Sequence, residues 1–295
     1  MKPAPFAYFA PSGIEEAVAL LAEHGDEAKV IAGGQSLVPM MAFRLATPSV
    51  LVDLNRVSGL EYARFEGDAL ELGAMARHRS VRELPGLRER CPMIAEGVDL
   101  IGHPAIRNRG TVGGSLAHAD PAAEWPAILL ALGGSVEAVG PNGSRAIPSD
   151  ELFETYFTTS LAPDEILTHV RLPVPNGGTG SAFVEFARRH GDFALAGVAA
   201  VLRLSMQRQP GYGQVEDVRI ALIGVRDTAV RATAAEALLR GQEPTGEALA
   251  EAAGAVDGDI EPVSDVHGSS EYRRHLARVL TRRALALARD RAGAE

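Results

Sequence analysis

The sequence of 295 residues is long enough for two domains, and its hydrophobic share of 46% and charged share of 23% are ordinary for a globular protein. Its formal net charge of −9 argues against a nucleic-acid-binding protein and against docking on anionic lipid. The longest apolar run, Ala127 to Leu132, is too short to span a membrane, and Met1 to Phe6 holds no apolar segment of the signal-peptide type. The expected location is therefore the cytoplasm, without membrane insertion.

The single cysteine limits the metal chemistry that the chain could support by itself. Cys91 excludes a disulfide within the chain and an iron–sulfur cluster held by four of its own thiolates. No His-Glu-x-x-His or comparable spacing of histidines and carboxylates occurs, so a zinc site is not expected. Because Cys91 precedes a proline in a helical stretch, we expect a buried structural thiol. We assign no metal ligand and no catalytic residue.

The first 55 residues or so have the pattern of a small α/β unit. Ser12 and Glu15 have the spacing of a capping box and predict the start of a helix that Gly25 ends. Two stretches, 28–32 and 50–54, then predict strands, with a short helix between them from residue 37. A helix between strands is typical of an α/β unit.

The stretch from Val30 to Leu37, Val-Ile-Ala-Gly-Gly-Gln-Ser-Leu, is the strongest local signal in this unit. It predicts the end of a buried strand, a sharp turn at Gly33 and Gly34, and the start of a helix. Such a turn leaves N–H groups free and no Cβ in the way, which suits the oxygen atoms of a phosphate. Taken alone, it is equally typical of a tight turn without a ligand.

From residue 56 to about 175 the pattern changes to antiparallel strands with helices. The predicted elements are hairpins around 67–68 and 141–143, a helical region from a capping box of Ser80 and Glu83 through Val98, and a strand over 166–172. These elements indicate an α+β unit.

Within this second unit, residues 111–115, Thr-Val-Gly-Gly-Ser, repeat the first glycine turn ahead of another predicted helix, 122–132. Two turns that both carry Gly-Gly and a hydroxyl group indicate two walls of one diphosphate site. Neither turn has the spacing of a Rossmann fingerprint or of a P-loop, so those nucleotide sites are not supported.

The segment 173–178, Pro-Val-Pro-Asn-Gly-Gly, is the best candidate for a linker between domains. The elements predicted beyond it are strands over 182–187, 198–204 and 218–223, and helices over about 229–240, 247–256 and 270–291. The last helix has an apolar stripe that includes Tyr272 and Leu287 and predicts packing on its own domain. Four arginines are expected off this stripe: Arg273, Arg274, Arg278 and Arg282.

Four stretches are similar to those of a known family, the medium, flavin-binding subunits of molybdenum hydroxylases, which include aerobic carbon monoxide dehydrogenase and xanthine dehydrogenase. Residues 32–37, Ala-Gly-Gly-Gln-Ser-Leu, resemble the family's first FAD motif. Residues 106–115, Ile-Arg-Asn-Arg-Gly-Thr-Val-Gly-Gly-Ser, resemble its second. Residues 186–194, Phe-Ala-Arg-Arg-His-Gly-Asp-Phe-Ala, look like a third shared stretch, and residues 271–274 resemble the start of its last helix. The match spans nearly the whole chain in order and spacing.

The resemblance implies an α+β fold class, and the segmentation drawn from the residues agrees with it. An FAD-binding domain of the vanillyl-alcohol-oxidase (PCMH) type, made of two α/β subdomains, would be followed by a small three-stranded antiparallel sheet with a helix bundle. The implied boundaries are 1–175 for the FAD-binding domain, with subdomains about 1–55 and 56–175, and 179–292 for a domain like the C-terminal one of carbon monoxide dehydrogenase flavoproteins.

The resemblance also implies a set of residues that bind FAD, without a covalent bond. Backbone N–H groups of the first turn would bind the pyrophosphate, and the second turn would close the other side. Ile101 and Leu167 align with apolar positions beside the flavin. Glu124 aligns with a carboxylate near the adenosine ribose, and the aromatic ring of Phe193 would lie against the isoalloxazine. The implied set is Ile31, Ala32, Gly33, Gly34, Gln35, Ser36, Leu37, Ile101, Thr111, Val112, Gly113, Gly114, Ser115, Glu124, Leu167 and Phe193.

The implied function is that of the flavoprotein subunit of a molybdenum hydroxylase complex. A large molybdopterin subunit would oxidise the substrate, and a small subunit with 2Fe-2S clusters would carry single electrons to FAD on this chain. An external acceptor such as NAD or a quinone would then take them. The expected assembly is a dimer of heterotrimers, and no nucleic acid is expected as a partner.

Two other functions stay open on the residues alone. The first is a stand-alone FAD-dependent oxidoreductase that acts directly on a small organic substrate and therefore needs a general base over the flavin. His103, His118 and His190 are candidates for that base by position only. The second is a non-enzymatic scaffold with a vestigial nucleotide site, which two intact glycine turns argue against.

Overall fold

The computed structural model describes residues 2–205 and 213–293. Its strands form a three-stranded sheet, a five-stranded sheet, a four-stranded sheet and a two-stranded hairpin. The buried apolar side chains form three clusters, and helices cover the larger sheets. Among the described residues, no helix has both the length and the apolar character needed to cross a membrane.

The first unit is a parallel sheet with the strand order β1-β3-β2. Its elements are β1 Ala7–Phe9, α1 Ile14–His24, β2 Ala28–Ile31, α2 Leu37–Ala42 and β3 Val50–Asp53. The helix after the first turn is therefore confirmed, and so is the end of α1 at Gly25. The capping box is wrong, because Gly13 is the N-cap and Ser12 instead donates its backbone N–H to the Glu16 carboxylate at 3.1 Å.

The second unit is built around an antiparallel sheet with the strand order β4-β5-β10-β6-β7. Its elements are β4 Ala63–Glu66, β5 Ala69–Gly73, α3 His78–Arg82, α4 Leu87–Arg90, α5 Pro92–Leu100, α6 Pro104–Arg107, α7 Val112–His118, α8 Glu124–Leu132, β6 Ser135–Gly140, β7 Gly143–Pro148, α9 Ser149–Leu152, β8 Phe153–Thr155, β9 Thr158–Thr159 and β10 Ile166–Pro173. Both predicted hairpins are present.

The predicted helical region at residues 80–98 consists of three separate helices. Helix α3 begins two residues before Ser80, with Arg77 as its N-cap, so the second capping box is also wrong. Gly86, with φ of +77°, separates α3 from α4, and Pro92 at the first position of α5 starts a new helix after Cys91. The Cys91 side chain is buried, as expected, and burial raises the pKa of its thiol to about 12.

The C-terminal unit has three long antiparallel strands and a two-residue edge strand, covered by helices. Its elements are β11 Thr179–Phe186, β12 Ala196–Leu204, β13 Val215–Ile223, β14 Val230–Arg231, α10 Thr233–Leu239, α11 Gly246–Ala255 and α12 Ser270–Ala292. Helix α12 packs closely on β11 at Gly180, where an added Cβ would lie 2.6 Å from the backbone nitrogen of Ala292. The predicted sheet and three helices are confirmed.

One of the four arginines expected off the apolar stripe of α12 is buried. Arg273 is buried, and its guanidinium donates to the carbonyl oxygen of Leu195 at 2.7 Å and to the Asp265 carboxylate at 2.7 Å. Tyr272 and Leu287, assigned to the apolar stripe, are instead about 40% exposed. Arg273 is therefore a structural residue of this unit, because a buried cation needs such partners.

Candidate functional site

The two glycine turns, distant in the sequence, lie side by side. The first joins β2 to α2, and the second leads into α7. A Cβ added at Gly33 would lie 2.8 Å from the Cα of Gly110, which leads into the second turn, and one at Gly114 would lie 3.4 Å from the Cβ of Ala32. The two turns are therefore in contact, and their joint binding of one diphosphate stays a prediction.

The first turn presents a row of free backbone donors. Gly34 has φ of +72°, which favours glycine, and the amide of Gln35 donates to the Gly33 carbonyl at 3.0 Å and braces the turn. The N–H groups of residues 33–37 donate no hydrogen bond to any residue that the structure describes. Because unpaired backbone donors are costly unless water or a ligand meets them, this row is suited to an anion.

The second turn differs, because its backbone donors are already used. The N–H of Gly113 donates to the Ala74 carbonyl at 2.9 Å, and that of Gly114 donates to the Thr111 hydroxyl at 3.1 Å. The N–H of Val112 donates to the carbonyl oxygen of Ala76, shortly after β5, and residues 111–113 are buried. Only Gly114 and Ser115 are partly exposed. The second turn therefore contributes a close-packed wall and the Ser115 hydroxyl, whereas the free N–H groups belong to the first turn.

Two side chains that the sequence analysis missed connect the turns. Asn55 donates from Nδ2 to the carbonyl oxygen of Ala32 at 2.9 Å. Arg77 donates from one terminal nitrogen to Asn55 Oδ1 at 2.6 Å and from the other to the carbonyl oxygen of Arg109. Neither residue lies in a glycine motif. A sequence signal for them is lacking, because each contact joins residues far apart in the chain.

Beneath the second turn lies a neutral histidine. Burial, with the nearby charges of Arg107 and Arg77, lowers the pKa of His78 to about 3. Its Nδ1 accepts a hydrogen bond from the indole N–H of Trp125 at 3.1 Å. Gly110 packs on the same ring, since an added Cβ there would lie 2.7 Å from it. This contact between α3 and α8 supports the second turn from below.

Phe193 lies on an exposed loop that lines a cavity of about 500 Å³. Its side chain is 65% exposed, which is unusual for so large an apolar ring. The loop is fixed by Gly191, with φ of +91°, which packs on the ring of His103 two residues after Ile101. Ile101 and Leu167 are buried in the main core cluster. The structure thus brings the Phe193 loop close to the segment that carries Ile101.

The cavity walls are rich in charged side chains from several elements. The lining contains the charged residues Asp120, Arg188 and Arg226, together with Phe193, Tyr156 and His267. The ring of His118 packs on Phe157, with ring centroids 5.0 Å apart, next to this region. Burial lowers the pKa of His118, so its neutral form is favoured. His103 and His190 lie edge to face, with ring centroids 6.3 Å apart.

Glu124, at the start of α8, and the nearby Glu185 are partly buried acids. Burial raises the pKa of Glu124 well above its usual range, and the nearby Glu185 adds to the effect. Burial also raises the pKa of Glu185 to about 7, and its Oε2 has no hydrogen-bond partner among the described residues. Glu124 is thus not a freely solvated helix glutamate. A protonated carboxyl can donate a hydrogen bond, and the placement of Glu124 by the adenosine ribose stays a prediction.

Comparison with known proteins identifies the class. The FAD binding domain in molybdopterin dehydrogenase matches residues 4–175, and the CO dehydrogenase flavoprotein C-terminal domain matches residues 181–288. The chain therefore belongs to the family of FAD-binding flavoproteins of molybdopterin dehydrogenases, and the resemblance predicted from the four stretches is confirmed. The fold class is confirmed as well.

Individual relatives are similar over nearly their whole length. The chain is 43% identical over 292 residues to the 6-hydroxypseudooxynicotine dehydrogenase complex subunit alpha of Paenarthrobacter nicotinovorans, covering 99% of this chain and 97% of that protein. It is 45% identical over 285 residues to the nicotine 6-hydroxylase medium subunit of the same organism, covering 97% and 98%. A solved structure of carbon monoxide dehydrogenase from Hydrogenophaga pseudoflava, which lacks the Mo-pyranopterin moiety of its cofactor, matches with a TM-score of 0.94 at 41% identity and covers 99% of both chains.

Proposed function

We propose that this chain is the FAD-binding, electron-transfer subunit of a molybdenum hydroxylase complex. The observation that carries the proposal is the row of unpaired N–H groups at residues 33–37, in a turn that lies beside the second turn. A dianionic pyrophosphate matches those donors, since backbone N–H groups in such a turn bind phosphate oxygens. Ser36 and Ser115 supply hydroxyl groups on either side.

The residues of this chain bind and orient the cofactor. When bound, FAD would supply the redox chemistry that connects 2Fe-2S clusters of a partner subunit with an external acceptor such as NAD or a quinone. The two turns would hold the pyrophosphate, and Ile101, Leu167 and Phe193 would provide apolar surface beside the flavin. Because Phe193 lacks a hydroxyl, its ring would pack on the flavin without forming a hydrogen bond to it.

The proposed partners are a large molybdopterin subunit and a small 2Fe-2S subunit, in a dimer of heterotrimers in the cytoplasm. Support comes from the relatives, whose names describe a complex subunit and a medium subunit. It comes also from the single buried thiol Cys91, because one cysteine cannot ligate an iron–sulfur cluster. The substrate would then bind on another chain.

The test is anaerobic and uses the isolated flavoprotein. We expect the flavin to stay oxidised when aldehydes, heteroaromatic compounds or carbon monoxide are added. We also expect it to pass electrons from a chemical reductant or NADH to a dye. Rapid bleaching by one of these substrates, without other subunits, would instead establish the stand-alone FAD-dependent oxidoreductase. A purified chain with no flavin absorbance would favour the scaffold.

A further inference from the structure

We propose that Arg77, acting through Asn55, is a positioning residue that holds the two glycine turns at the spacing needed to bind the FAD pyrophosphate. The inference rests on the proposed function, because it concerns affinity for that cofactor. Neither residue belongs to the implied set of FAD contacts. Their role would be to fix the first turn relative to the second.

The geometry of this clamp is a continuous chain of hydrogen bonds. It begins at the carbonyl oxygen of Ala32, in the first turn, which accepts from Asn55 Nδ2 at 2.9 Å. It continues from Asn55 Oδ1 to the Arg77 guanidinium at 2.6 Å and ends at the carbonyl oxygen of Arg109, just before the second turn. Asn55 is itself oriented, because its backbone N–H donates to the Asp53 carboxylate at 2.8 Å.

The backbone around Arg77 is fixed independently of its side chain. The N–H of His78 donates to the Gly110 carbonyl at 3.1 Å, and the N–H of Val112 donates to the Ala76 carbonyl at 3.0 Å. Arg77 therefore starts from a backbone already joined to the second turn. Its side chain, only 16% exposed, reaches from there toward the first turn. Loss of the side chain would release the first turn while leaving these backbone bonds intact.

The chemistry of the guanidinium explains why arginine suits this position. Its planar fork directs two terminal N–H₂ groups at two acceptors in different segments. A lysine ammonium would retain the positive charge, but its N–H groups all leave one nitrogen, so it lacks the two separate, fixed terminal nitrogens that contact the two oxygen atoms. The Arg77→Lys variant therefore separates positioning from simple charge attraction to the pyrophosphate.

The test measures FAD dissociation constants of apo-protein by fluorescence, together with the dissociation constant for ADP. ADP carries the pyrophosphate without the isoalloxazine, so it reports on the turns alone. We expect Arg77→Gln and Asn55→Ala each to weaken both ligands about 10- to 100-fold, the effect of losing charge-assisted hydrogen bonds. Arg77→Lys should remain at least about fivefold weaker than wild type at both low and high salt.

Two further measurements distinguish positioning from general destabilisation. Because Arg77 and Asn55 act in one chain of contacts, the double variant should bind FAD no worse than the weaker single variant. The control is Arg79→Gln on the exposed side of α3, where Glu83 is the one ion-pair partner of Arg79 among the described residues, and it should bind FAD like wild type. The melting temperature of each apo-variant shows whether it is folded.

Several results would overturn the inference. They are wild-type affinity in folded Arg77→Gln, full rescue by Arg77→Lys, or additive losses in the double variant. If Arg77→Gln does not fold, Asn55→Ala and Arg77→Lys still decide the question. Failure of wild-type protein to bind FAD would contradict the proposed function, whereas normal FAD binding by the variants would contradict only the clamp.

Discussion

Glu185 has a carboxyl group whose protonation changes close to neutral pH. Its Oε2 is buried without a partner among the described residues, and burial raises its pKa to about 7 from an ordinary value of 4.5. Below pH 4.5 the carboxyl is protonated in both the folded and the unfolded chain, so it has no effect on stability. As the pH rises from 4.5 to 7, the unfolded chain releases this proton before the folded chain does. The free energy of unfolding therefore falls over this range and levels off above about pH 7.

We therefore expect Glu185→Gln to stabilise the apo-protein increasingly as the pH rises. The gain should be near zero at pH 4.5 and about 1–3 kcal/mol above pH 7, because one pKa unit corresponds to about 1.4 kcal/mol and the residue is only partly buried. Urea unfolding at a series of pH values measures it. Glu66→Gln, at an exposed position, is the control and should give no pH-dependent gain. An equal effect of Glu185→Gln at pH 4.5 and 8 would contradict the buried-acid interpretation.

Phe193 gives a second prediction at the scale of one residue. Because its ring is 65% exposed, Phe193→Ala should cost little global stability, while a ring that covers the flavin should change the flavin absorbance and its rate of reaction with oxygen. Phe186→Ala is a matched control, since that ring packs edge to face on Tyr272 at 6.2 Å instead. Unchanged absorbance and oxygen reactivity in Phe193→Ala would make it an ordinary loop residue.

At the scale of elements, the two glycine turns show what sequence reasoning could reach. Their likeness to each other predicted one shared site, and they do lie in contact. The difference between them was not predictable, because the N–H groups of Val112 and Gly113 donate to backbone carbonyls just after β5, which is distant in sequence. Asn55 and Arg77 were missed for the same reason. Local spacing identifies turns, but long-range pairing decides which donors stay free.

Helix starts show the same limit. Both predicted capping boxes match the sequence spacing of the motif. Neither forms, because a different residue is the N-cap of each helix. In α1 this residue is Gly13, and in α3 it is Arg77, whose backbone is held by an isolated bridge to Thr111. Strand and hairpin predictions succeeded more often, since alternation and turn residues specify them locally.

One carboxylate of α5 makes polar contacts with two elements of the C-terminal unit. Glu96 accepts the backbone N–H of Phe183 on β11 at 2.9 Å and pairs with Arg291 of α12 at 2.5 Å. We expect Glu96→Gln to lower the free energy of unfolding by about 1–3 kcal/mol, because hydrogen bonds to a partly buried charge are lost or weakened. Glu83→Gln removes the exposed pair with Arg79 and should cost less than about 0.5 kcal/mol. Equal costs in urea unfolding would show that the α5 contact is not held by this pair.

At the scale of the whole molecule, the proposed site draws on residues from all three units. The first two units supply the paired turns, and the loop with Phe193 follows β11 of the C-terminal unit. Structural contacts such as Glu96 with Arg291 join these units, so the walls of the proposed site come from distant parts of the chain. Such a site should be stabilised as a unit when its ligand is bound.

The last prediction is that FAD is held without a covalent bond and therefore stabilises the fold by mass action. The only thiol, Cys91, is buried in the core, and burial raises its pKa to about 12, so it is a poor nucleophile. Gln35, in the first turn, has an amide that already donates to Gly33 and lacks a nucleophilic nitrogen. Acid precipitation should leave yellow flavin in the supernatant. Free FAD should also raise the melting temperature, because ligand at 100 times its dissociation constant adds about 2.7 kcal/mol to the free energy of unfolding. Riboflavin, which lacks the pyrophosphate, is the control ligand and should raise it far less. Flavin that stays with the precipitated protein would contradict the prediction.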